Sequence, residues 1–61
     1  MNSYLVIVTV TDPDTGKYSI EIPVQAKTAA HAKRIAHKAA MQMGACYITD
    51  LRAERRYENE S

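Results

Sequence analysis

Between Lys27 and Gly44 the chain carries four cations, Lys27, Lys33, Arg34 and Lys38, together with His31 and His37, and no acidic residue. Side chains of these types neutralise anions, either phosphates or the carboxylates of another protein. The formal charge of the whole chain is only +1, so the positive charge is gathered rather than spread. Lys17 against Asp12, Asp14 and Glu21 leaves residues 1–26 at −2, and residues 27–45 carry +4. Arg52, Arg55 and Arg56 against Asp50, Glu54, Glu58 and Glu60 leave residues 46–61 at −1. Solvated helices usually mix signs for i,i+4 pairing, and this segment has no Asp or Glu to pair with.

Other chemistry is poorly provided for. His31 and His37 stand six residues apart, about 240° on a helical wheel, which defeats a shared metal site. No Cys or His pair has ligand spacing, so neither metal nor cofactor is expected. Cys46 is the only cysteine, which rules out an internal disulfide, and it reads as a small buried hydrophobe. Gly16 and Gly44, the only glycines, are accounted for by a turn and a helix end, leaving none for a phosphate loop. No paired carboxylates or nucleophile elbow stand out, and a chain this short lacks the volume for a usual pocket. The expectation is a protein that binds rather than catalyses.

The elements that must present the basic segment read as follows. Tyr4 to Thr11 is β-branched and aromatic nearly throughout, which is strand chemistry. Asp12-Pro13-Asp14-Thr15-Gly16-Lys17 specifies a turn through a φ-preset proline, side chains that bond local amides, and a left-handed glycine. Tyr18 to Val24 alternates, with Tyr18, Ile20, Ile22 and Val24 on one face, and Pro23 makes this strand an edge. Thr28 suits an N-cap, Ala29 to Met43 read as helix, and Gly44 fits the position past its end. Ala29, Ala32, Ile35, Ala36, Ala39, Ala40 and Met43 form the inward stripe. Lys33, Arg34, His37 and Lys38 take the opposite side, extended by Lys27 and His31. Ala45 to Leu51 forms a third strand whose facing stays open between two alternations. Arg52 to Tyr57 lengthens that strand or curls into a short helix.

The order ββαβ with a right-handed crossover predicts an α+β domain over residues 1–57. It has a three-stranded sheet in order 2-1-3, one helix on one face, and a fraying tail over 58–61. If Val6, Val8 and Val10 face the helix, Leu5 and Ile7 lie on the bare face, joined by Tyr47 and Leu51 in one of the two facings. Contiguous apolar patches on small proteins tend to mark contacts. A chain of 61 residues gains only about 3–5 kcal/mol from its own core. Both considerations predict a homodimer or partner interface at Leu5, Ile7, Tyr47 and Leu51. Arg55 and Arg56 supply a secondary basic contact. The longest apolar run, Tyr4 to Val8, is too short to span a membrane, and with the single thiol it points to the cytoplasm.

The run VTDPDTGKYSIEIPVQAKTAAHAKRIAHKAAMQMG resembles small orphan proteins of bacteriophages and mobile elements, in which a β-hairpin leads into an alanine-rich helix. Some anti-CRISPR inhibitors are similar in size and layout. The resemblance covers about half of the chain and carries over no functional residue. It implies a protein that binds, and in some cases inhibits, a host factor. The acidic surface of a protein is therefore the partner expected for the basic helix, with phosphates of a nucleic acid as the alternative.

Overall fold

The computed structural model describes residues 1–45 and 47–56. The expectations for Cys46, for Tyr57 and for the tail over 58–61 lie outside the described residues. Strand β1 (Asn2–Asp12), strand β2 (Gly16–Ala26), helix α1 (Ala29–Gln42) and strand β3 (Ile48–Arg56) follow in that order. The sheet runs β2-β1-β3, with β1 antiparallel to both neighbours. This is the α+β arrangement expected from the sequence, with the most hydrophobic strand in the centre.

Local chemistry sets the corners. At the hairpin tip the Asp12 carboxylate accepts from the amides of Asp14 at 2.7 Å and Thr15 at 3.3 Å. Gly16 then takes φ +88°, a conformation that costs other residues a Cβ clash. Thr28, with extended backbone, accepts at its hydroxyl from the His31 amide at 3.1 Å and caps α1. Gly44 at φ +98° closes the other end, where the amides of Met43 and Gly44 reach back to carbonyls of the last turn. In β2, the even-numbered residues bond to β1, so the N–H that Pro23 lacks belongs to the unpaired outer edge.

The core lies between α1 and one face of the sheet. Val6, Val8 and Val10 are wholly or almost wholly buried beneath Ala32, Ala36 and Ala40. Ile20, Ile22, Ile48, Leu51 and Ala53 pack around them. The buried line of α1 is narrower than the stripe read from the sequence. Ala29 is exposed, Ile35 is 38% exposed and Met43 is 66% exposed. Alanines spaced by four, with no side chain beyond Cβ, permit a close approach of the helix to the valines, and Ile35 falls to the rim of that contact. Met43 lies beyond the last helical turn and leaves the stripe altogether.

The facing of β3 departs from both simple alternations. Thr9 stands opposite Asp50, while Val10 stands opposite Ile48. Thr49 is therefore an extra residue, a β-bulge, and its hydroxyl donates to the Thr9 carbonyl at 3.4 Å. The bulge lets Ile48 and Leu51, three apart, both turn towards the helix. An 11-residue strand spans about 36 Å, whereas 14 helical residues span about 21 Å. The hairpin accordingly projects past the helix, and the molecule measures 42 × 21 × 16 Å. Tyr18 lies on this projection and is 40% exposed, although it points to the helix side.

Candidate functional site

Helix α1 displays its charge by ordinary wheel geometry. With Ala32, Ala36 and Ala40 against the sheet, His31, Arg34, Lys38 and Met41 form a row on the solvent side. Ten residues at 1.5 Å rise make that row about 15 Å long. Lys27, just before the cap, is exposed as well, and its carbonyl accepts from the Asn2 side chain at 3.3 Å. Among the described residues the one ion pair is Arg52–Glu54, at 3.5 Å on the sheet. None of the described carboxylates is salt-bridged to a cation of the helix.

The six basic residues singled out from the sequence do not form one uniform face. Lys27, His31, Arg34 and Lys38 are exposed, whereas Lys33 and His37 are half-buried. His37 leans towards β3 and helps line a shallow groove of about 350 Å³ with Ile48, Thr49, Asp50 and Leu51. An adjoining groove of about 360 Å³ adds Met41 and Tyr47. Both open to solvent, so they present a surface for contact rather than an enclosed chamber.

The expected apolar interface is divided by the sheet. Leu5 and Ile7 do lie on the face away from the helix, half-buried. There Leu5 stands between Pro23 and Glu54, and Ile7 between Glu21 and Arg52. Leu51 pairs with Val8 and packs into the core, because the bulge at Thr49 resets the alternation. Tyr47 is 62% exposed, but it borders the groove on the helix side, and its carbonyl accepts from Thr11 at 2.8 Å. The bare face thus keeps only Leu5 and Ile7, framed by charges. Arg55 and Arg56 separate too. Arg55 stands opposite Tyr4 on the helix side and donates to the Asn2 side chain at 3.0 Å, while Arg56 stands opposite Ser3 on the bare face.

Three exposed apolar residues were absent from the sequence reading of the site. Met41, 56% exposed, stands in the cationic row, Ile35 lies on its flank, and Met43 is exposed past the end of the helix. Helical periodicity assigned Ile35 and Met43 inward; the signal available was that three alanines spaced by four already complete a contact line. Comparison with protein-family models, with curated proteins and with solved structures returns no match. Among the described residues no helix is long and apolar enough to cross a membrane.

Proposed function

We propose that the chain is a non-enzymatic protein-binding module, an inhibitor or accessory factor of the kind that phages and mobile elements encode. It docks on an acidic protein surface through the outer side of α1. Leu5 and Ile7 on the bare sheet face give a second, smaller contact. The observation that carries this reading is the pairing of exposed cations with exposed apolar side chains on one capped helix. His31, Arg34 and Lys38 run alongside Ile35 and Met41. Cations alone would serve a phosphate backbone equally well. A methionine and an isoleucine beside them supply adaptable apolar area, which a phosphate chain does not use and a protein surface does. The carboxylates of Asp12 and Asp14 at the hairpin tip, and of Glu21 and Glu54 on the bare face, would also repel a polyanion wrapping the domain.

Binding to random duplex DNA separates the two partners. If Lys27, Lys33, Arg34 and Lys38 all neutralised phosphates, log K would fall against log salt with a slope of about −3.6. Replacing Arg34 and Lys38 by Gln, which helices accept well, would roughly halve that slope. The expected result is weak or absent DNA binding at physiological salt. Submicromolar binding with the steep slope would replace the protein partner with nucleic acid.

A further inference from the structure

Among the described residues no strand pairs with the outer edge of β3, which stands at the end of the sheet beside β1. Its side chains on the bare face read Asp50, Arg52, Glu54, Arg56, alternating in sign. Opposite them on β1 stand Thr9, Ile7, Leu5 and Ser3, none of which is charged. Among the described residues these four charges therefore have no charged cross-strand partner, and the complement lies along their own strand, where Arg52 meets Glu54 at 3.5 Å.

The backbone limits which strand can join this edge. The Thr11 amide donates to Tyr47 and the Thr9 carbonyl accepts from Thr49, so the odd-numbered residues of β1 aim their polar groups at β3. Their partners Asp50, Arg52, Glu54 and Arg56 aim back at β1. The alternate residues, Leu51 and Ala53 among them, direct N–H and C=O outward. An antiparallel copy must then set outward-directed residues opposite one another, which permits only registers shifted in steps of two.

Centring the pairing on Ala53 opposite Ala53 of a second copy sets Arg52 against Glu54 and Asp50 against Arg56, each twice by symmetry. Leu51 then lies opposite Arg55, beneath its aliphatic stem. Moving the centre to Arg52 sets Arg52 against Arg52 and Asp50 against Glu54. Moving it to Glu54 sets Glu54 against Glu54 and Arg52 against Arg56. Centring on Leu51 also alternates sign, but it runs the Thr49 bulge into the ladder. We propose that β3 is a self-complementary edge, and that two copies pair through it about Ala53 into a six-stranded sheet with both helices on the same side. The twofold axis runs perpendicular to the sheet, and the bare face with Leu5 and Ile7 stays open on the dimer.

Sedimentation velocity on the full chain and two charge variants tests this directly. Wild type is expected to show a concentration-dependent dimer. Arg52→Glu and Glu54→Arg each place like charges across the twofold, and each is expected to raise the dimer dissociation constant about tenfold or more. Mixed in equal amounts the two variants become complementary, and native mass spectrometry is expected to find a heterodimer while neither variant pairs with itself. Both side chains are exposed, so the fold is retained, and circular dichroism checks it. Ala53→Pro removes an outward N–H without touching the β1 ladder and is expected to abolish pairing. A monomeric wild type, or a folded pair of variants that does not associate on mixing, overturns the proposal. So does a dimer indifferent to the charge changes but dissociated by Leu5→Lys with Ile7→Lys, which would put the interface on the bare face.

Discussion

Replacing Ala36 with Leu tests the packing on which the whole presentation of α1 depends. Ala36 is fully buried between Ala32 and Ala40, and Val6, Val8 and Val10 beneath them are buried to within 1%. The alanine row leaves no space for three further carbon atoms. To accept them, the helix must lift from the sheet or a valine must leave its rotamer, at a cost of about 1–3 kcal/mol. Leucine forms helix nearly as well as alanine, so intrinsic propensity contributes almost nothing to the change. A domain of this size has roughly 3–5 kcal/mol to lose, so the variant should forfeit a large part of its stability. Urea denaturation followed by far-UV circular dichroism reads the effect. With a slope of about 1 kcal/mol per molar urea, the midpoint should fall by about 1–3 M. Ala30→Leu, on the exposed side of the first turn, is the control and should shift the midpoint little. An Ala36→Leu protein as stable as wild type would mean that the helix does not rest on the valines, and the outward placement of the cationic row would fall with it.

The ends of the helix give two smaller tests by the same method. Thr28→Ala removes the hydroxyl that accepts from the His31 amide at 3.1 Å and should cost about 1 kcal/mol, whereas Thr28→Ser should cost little. Gly44→Ala meets no atom within 4 Å of the added Cβ. Its cost should therefore come only from forcing alanine to φ +98°, about 1 kcal/mol; an unchanged midpoint would mean that Gly44 does not hold that conformation in solution.

Much of this architecture is legible in the sequence because its signals are local. The hairpin follows from alternation on either side of a turn rich in Asp, Pro and Gly, and Thr28 and Gly44 bracket the helix by standard cap chemistry. The strand order follows from the ββαβ sequence and the hydrophobicity of Tyr4 to Val10. The facing of β3 is a different matter. One inserted residue, Thr49, turns Ile48 and Leu51 to the same side, and nothing in Tyr47-Ile48-Thr49-Asp50-Leu51 marks which residue will bulge until it is paired with Thr9 and Val10. Helical periodicity likewise overstates the buried stripe. It records that Ile35 and Met43 sit near the alanine row, but not how close the helix lies to the sheet. The closeness comes from alanine against valine across two elements, a tertiary property. The same closeness leaves Ile35 at the rim of the cationic row, and Lys33 and His37, about 60° and 100° round the wheel from the alanine line, are half-buried at its other rim.

The assignment of the basic face to an acidic protein partner is tested most directly by affinity capture from nuclease-treated bacterial lysate, with wild type and the Arg34→Gln, Lys38→Gln variant side by side. Both substituted side chains are exposed and glutamine maintains the helix, so the two baits should have the same circular dichroism spectrum and differ only in surface charge. The expected capture is a protein that survives nuclease, elutes as salt is raised, and is missing from the variant. Capture that vanishes with nuclease, or that the variant retains in full, would contradict it.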